Sequence, residues 1–193
     1  MENLTVNNFA NGLYISAFQP TPKDSQNIVV QGNLTISGSS TRVRVKDIKF
    51  AFPAGASPDL IDSSAGRNYH SNVGYEGGGG LSFTGSWARW HEFTDCTVSG
   101  PIAVGGTPAA GSQLSMWRTR GGATLQLTTA NVSTLLVDTE GLGLVTHAAG
   151  PLSIEGGFCP AVASTANTPD TLTIANAVVA AGRSPRRGQR PTR

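Results

Sequence analysis

The chain has 193 residues, of which 38% are hydrophobic, only 13% are charged and 24 are glycine. Such apolar content excludes an unstructured chain, one core is expected at this length, and no stretch approaches the ~18 apolar residues of a membrane-spanning helix. The formal net charge of +2 conceals an asymmetry. Residues 183–193 hold five arginines and no acid, so the remainder has nine basic residues against twelve acidic ones, about −3.

Residues 1–26 carry aromatics (Phe9, Tyr14 and Phe18) but no repeat, and are expected to form an attachment or capping segment. The first residues contain an acid and no apolar core, so they do not read as a signal peptide. From Asn33 the chain breaks into short runs alternating apolar with polar residues, among them NLTISG, TRVRVKDIKF, LSFTGS, QLSMWRT, ATLQLTT, STLLVDTEG and PLSIEGG. Alternation over four to eight residues, closed by Gly or Ser-Gly, is the signature of half-buried strands. The only helical candidate, Ala175–Gly182, contains the β-branched pair Val178–Val179, which argues against it. Between Phe50 and Gly80 the alternation fails, and residues 51–80, rich in Pro, Gly and Asn, are expected to be a long loop.

The runs recur. Thr94-Asp95-Cys96, Trp117-Arg118-Thr119 and Val137-Asp138-Thr139 follow one another at 23 and 20 residues, with Lys46-Asp47-Ile48 as an earlier member. A period near twenty, with two or three short strands per unit, predicts a mainly β fold: a parallel β-solenoid (β-helix) over residues 27–182, most regular from Leu81 to Phe158. The alternative is an antiparallel β-sandwich, whose turns fall every 8–12 residues or so. Residues 183–193, with Arg183, Arg186, Arg187, Arg190 and Arg193 among Pro and Gly, are expected to be a disordered tail.

The stretch from His91 to Phe158, HEFTDCTVSGPIAVGG through PLSIEGGF, resembles the repeated shaft of bacteriophage tail fibres and tailspikes, and RVRVKDIKF resembles their opening coil. The resemblance implies a non-enzymatic virion structural protein, a homotrimeric fibre or spike assembled in the host cytoplasm with other tail or capsid proteins, with no cofactor. It also implies two alternatives: a capsid-decorating cement protein, and a tailspike that binds or cleaves a host surface glycan. The chain departs from such fibres in its shortness and its arginine tail. A thin solenoid would expose Val- and Leu-rich faces, which three chains winding together would cover.

The residue chemistry is sparse. Eight acids are available for paired-carboxylate catalysis: Asp59, Asp62, Glu76, Glu92, Asp95, Asp138, Glu140 and Glu155. The repeat places Asp95 and Asp138 two rungs apart, roughly 10 Å, with Arg118 between, which reads more simply as a surface salt-bridge stripe than as a catalytic pair. Trp87, Trp90 and Trp117 with His91 form the densest aromatic patch, either a glycan platform or an interface. His70, His91 and His147 lack metal-ligand spacing and read as surface or interface residues. Cys96 and Cys159 read as buried or half-buried thiols. Gly77–Gly80 lacks a phosphate-loop ending and reads as a hinge. The tail has no aromatics among its arginines, so nucleic-acid recognition is not expected of it.

Overall fold

The computed structural model describes residues 4–7, 13–16, 27–29, 32–38, 42–52, 58–64, 66–87, 90–121, 124–159, 161–166 and 172–179. The chain opens with β1 (Leu4–Asn7), β2 (Leu13–Ser16) and β3 (Asn27–Val29). β4 (Leu34–Ser37) and β5 (Val43–Ala51) follow, then β6 (Leu60–Asp62) and β7 (Arg67–Tyr75). The middle coils comprise β8 (Leu81–Phe83), β9 (Trp90–Thr94), β10 (Thr97–Val98), β11 (Ile102–Val104), β12 (Ser112–Trp117) and β13 (Arg120–Gly121). The last run through β14 (Thr124–Leu127), β15 (Val132–Val137), β16 (Leu144–His147), β17 (Leu152–Glu155), β18 (Phe158–Cys159), β19 (Val162–Ser164), β20 (Leu172–Ala175) and β21 (Val178–Val179). The described residues contain no helix, and so none long and apolar enough to cross a membrane.

Every pairing among these strands is parallel, which establishes the solenoid and removes the sandwich alternative. A first face is one eight-stranded sheet, β1-β4-β6-β8-β11-β14-β16-β19. The second face stacks β2, the start of β5, the start of β7, β9, β12, β15, β17 and β20. The third takes β3, the ends of β5 and β7, β10 and β13, with β18 and β21 paired further along the chain.

Register makes the core. On the first face Leu4, Leu34, Leu60, Leu81, Ile102, Leu125, Val145 and Val162 stack one above another. On the second, Val45, His70, Phe93, Met116, Leu136 and Ile154 do the same, all buried. Side chains alternate in and out along each strand, so one apolar column per two residues suffices to fill a continuous interior.

Three expectations change. Residues 51–80 are not one long loop, because β6 and most of β7 lie within them as full members of the stack. The alternation was hidden because β7 points Asn68 and His70 inward beside Val73 and Tyr75. Residues 4–7 and 13–16 belong to the solenoid, pairing with β4 and β5, though Phe9 and Phe18 lie outside the described residues. The Val and Leu residues of the strands fill the chain's own interior. Among the described residues the exposed large apolar side chains are Tyr14, Phe158, Ile174 and Val178. An apolar face is therefore not what would drive a trimer.

Coils lie close enough that a Cβ at Gly106 (φ 83°) would sit 2.5 Å from Gly85 O of the neighbouring coil, whereas one at Gly111 (φ 81°) meets nothing within 4 Å. Both positions carry the same left-handed backbone penalty. Gly111→Ala is expected to cost about 1 kcal/mol and Gly106→Ala about 3 kcal/mol, read from urea unfolding midpoints; equal losses would refute the tight stacking.

Candidate functional site

The second face turns into the third at a single residue per coil, and that residue has positive φ in each: Asp47 (55°), Asn72 (54°), Asp95 (54°), Arg118 (47°), Asp138 (48°), Gly156 (65°) and Asn176 (54°). Asp and Asn tolerate this region because their short polar side chains bond locally, and Gly has no Cβ to clash. The corners stack in register. The N–H groups of Asp95, Arg118, Asp138 and Gly156 donate to Trp117 O (2.9 Å), Val137 O (2.8 Å), Glu155 O (2.9 Å) and Ala175 O (2.9 Å) on the next coil. The residue after each of the first five corners turns inward: Ile48, Val73, Cys96, Thr119 and Thr139 are all buried.

Side chains of the corner form an exposed ladder. Asn72 Nδ2 donates to Asp47 Oδ1 at 3.0 Å. Arg118, the one bulky residue forced into the left-handed region here, grips Asp95 with two bonds, Nε to Oδ1 at 2.7 Å and Nη2 to Oδ2 at 2.9 Å. Asp138 follows on the far side of Arg118, and Arg120 Nε lies 3.6 Å from Glu140 Oε2 two positions further along. Asn72, Asp95, Arg118, Arg120, Asp138 and Glu140 line a groove of about 660 Å³. The Asp95–Arg118–Asp138 order thus stands as the repeat implied. The hydrogen bond from Arg118 holds the Asp95 carboxyl below its ordinary range, so it stays ionised at neutral pH. A glycosidase acid needs the opposite, a carboxyl held protonated. Asp95 is therefore a member of an ion-paired stripe and not such an acid.

Cys96, lining the inner side of that corner, donates to Thr94 O at 3.4 Å and His70 O at 3.5 Å, and burial pushes its thiol up to about 12. It is an inert packing residue. Cys159 is the second residue of β18, with its side chain outside the described set.

A second cluster lies inside the coil. Asp62 Oδ1 accepts from the N–H (3.0 Å) and hydroxyl (2.8 Å) of Ser64, and Oδ2 accepts from Asn68 Nδ2 at 2.8 Å. His91 Nδ1 is 3.2 Å from the same Oδ2, within ion-pair range but off the hydrogen-bond line. Burial would raise this carboxyl, yet attraction to His91, with the Ser64 bonds, brings it to about 2. Beside it His70 lies flat on Phe93 (4.3 Å between centroids, 3° between planes) and shares a 2.7 Å hydrogen bond with the Tyr75 hydroxyl. Burial lowers His70 to about 3, so it is neutral in the fold.

These positions correct several expectations. His70, His91 and His147 are interior residues, 1%, 0% and 0% exposed, since each sits at an inward position of its strand. His147 is held by Ser164 Oγ (3.0 Å) and Gly150 O (2.5 Å). Trp87 is also fully buried, its Nε1 donating to Gly105 O at 3.3 Å and its ring 4.7 Å from that of His91. Trp87 and His91 therefore offer no surface to a glycan. Trp90 and Trp117 are half-buried on the outer side of the second face, and Tyr14 is exposed there. Gly77–Gly80 is no hinge: the N–H groups of Gly77 (3.0 Å) and Gly79 (3.3 Å) wrap the carboxylate of Asp59. No three His, Cys, Asp or Glu side chains converge as metal donors among the described residues. The arginine tail lies outside them.

No family model, no curated protein and no solved structure matches this chain.

Acid is expected to unfold the solenoid through its interior. The unfolded chain protonates His70 near 6.5 while the folded chain resists to about 3, and Asp62 behaves alike between 3.8 and about 2. The unfolded state thus binds more protons over both windows, and stability is full above 6.5 and falls as pH drops, by up to about 1.4 kcal/mol per pH unit per group. Urea midpoints measured across pH should show this limb. His70→Phe, which keeps the stack on Phe93, should flatten it between 6.5 and about 3; an unchanged slope would count against the His70 assignment.

Proposed function

We propose that the chain is a non-enzymatic structural protein of a bacteriophage particle, a homotrimeric short fibre or spike joined to other tail or capsid proteins. The carrying observation is the in-register parallel stack running from Leu4 on the first strand to Val179 on the last. Such a coil is stiff along its axis because each rung hydrogen-bonds to the next, and it needs no ligand to stand. Asp62 is held by Ser64 and Asn68 inside the coil, and the corner groove is lined by the ion pairs of Arg118 with Asp95 and Arg120 with Glu140. A rigid spacer is what this arrangement serves best, and the resemblance of the sequence to fibre shafts supplies the setting.

Since the apolar columns are satisfied within one chain, trimerisation would proceed through outward polar residues and the few exposed apolar ones, such as Phe158 and Val178. Light scattering coupled to size exclusion should return about three times the 20.0 kDa of a single chain. A stable monomer at micromolar concentration would overturn the trimer and leave only the spacer role. Imaging of particles with labelled protein then separates a projecting fibre from a flat capsid cement.

A further inference from the structure

Both ends of the solenoid present inward-facing apolar residues that no further described coil covers. The column through Met116, Leu136 and Ile154 ends on Ile174, and exposure rises from 1% at Ile154 to 41% at Ile174. Likewise Leu152 (2%) is followed by Leu172 and Val145 (0%) by Val162, both only partly buried. At the other end Leu34 (0%), Val43 (0%) and Val45 (1%) are preceded by Leu4, Leu13 and Ile15, again only partly buried. Residues 180–193, AAGRSPRRGQRPTR, contain no Val, Leu, Ile, Met or aromatic residue, so their composition supplies nothing to continue the columns beyond Leu172 and Ile174.

The strands that close each end lack the features that stop a sheet edge from pairing. β1 (LTVN) and β19 (VAS) are the terminal strands of the first face, and β2 (LYIS) and β20 (LTIA) those of the second. None of the four contains a charge or a proline, the usual guards of an edge whose N–H and C=O groups lack a neighbour. The two ends also match. Every strand runs in the same direction, so a copy translated along the axis brings β19 beside β1 and β20 beside β2 in parallel. Following the columns through the chain sets Val162 on Leu4, Leu172 on Leu13 and Ile174 on Ile15, and β2 and β20 are both four residues long. The remaining first-face column begins at Val6, 2% exposed, and ends at the polar Ser164, so it leaves no apolar gap.

We propose that the chain binds a second copy of itself end to end, the last coil of one against the first coil of the next, with both sheets continuing across the junction. The partner must offer two uncharged parallel edges on two faces at once, with an apolar residue opposite each of Val162, Leu172 and Ile174. The opposite end of the same chain already has these, at the spacing set by its own rungs. The main-chain bonds of the edges would then supply affinity and the three apolar pairs register, as in strand addition generally. The two patches differ, so the contact is heterologous and does not close: copies add in series along the axis. Each added copy lengthens the rod by its eight first-face rungs, roughly 38 Å. This contact is axial, whereas the trimer proposed above is lateral, and either holds without the other.

The test is light scattering of the full chain over a rising concentration series, with rod lengths measured by negative-stain imaging. Mass should climb in whole multiples of the smallest species and rods should lengthen in steps of roughly 38 Å. A single mass at every concentration, whether 20.0 kDa or threefold that, overturns the proposal, and the threefold value would leave the lateral trimer standing. Ile174→Lys and Ile15→Lys each place a charge on one end and should weaken association by about tenfold or more. Their mixture is the sharper measurement. Ile174→Lys keeps an intact first coil and Ile15→Lys an intact last coil, so at a concentration where neither associates alone the two together should give twice the mass of either and nothing larger. Contact between like ends would instead let each variant pair with itself, and that result overturns the head-to-tail arrangement. So does a mixture that stays unassociated where the unsubstituted chain grows. If Ile15→Lys does not fold, growth of the unsubstituted chain beside Ile174→Lys decides, equal growth of the two refuting the contact.

Discussion

Everything in this protein depends on parallel, in-register stacking of one coil on the next. A parallel rung satisfies its backbone only through its neighbours, and side chains at one register position must share a column with those above and below. The constraint is severe inside and loose outside. Interior columns admit Leu, Ile, Val, Phe and Met, or a polar residue whose partners come with it. The corner column admits only residues able to hold positive φ, which is why Asp, Asn and Gly occupy six of its seven described positions. Arg118 is the exception, and it is the one corner residue gripping its neighbour through two charged hydrogen bonds.

The polar interior near β6 and β7 shows what the same constraint demands when broken. Asp62 stands in a first-face column between Ile36 and Phe83, and His70 between Val45 and Phe93 on the second. A buried carboxylate is tolerable only when its oxygens are bonded, and here Ser64 and Asn68 do this, with the His91 ring 3.2 Å away. The cluster ties β6 to β7, because slipping either by one residue would part the carboxylate from Asn68. Its stabilising effect is conditional on pH, whereas that of the aliphatic columns is not.

Much of this was legible in the sequence where a coil is short and its inward residues are apolar. From Leu81 to Phe158 the alternation and the corner tripeptides at Asp95, Arg118 and Asp138 mark the stack correctly, including which residue lies between the two aspartates. Upstream, register intervals lengthen to 26 residues from Leu34 to Leu60 and 30 from Leu4 to Leu34, which hides the period. The corner at Asn72 was missed for a second reason: its strand buries Asn68 and His70, so polarity no longer reports which way a side chain faces. Trp87 and Trp90 illustrate the same limit, being three residues apart yet inside and outside respectively. The approach of the Arg44 guanidinium to the Tyr69 ring was beyond reach of any linear reading, since the two lie 25 residues apart and meet only through register.

The looseness of the outer surface explains how such a chain can hold separate chemistries on one scaffold. Residues 1–120 hold nine lysines and arginines against eight acids, whereas residues 121–182 contain four acids and no lysine or arginine, and the tail that follows is purely basic. No core requirement dictates that order, because outward side chains at a given register position contribute little to stacking beyond their nearest neighbours.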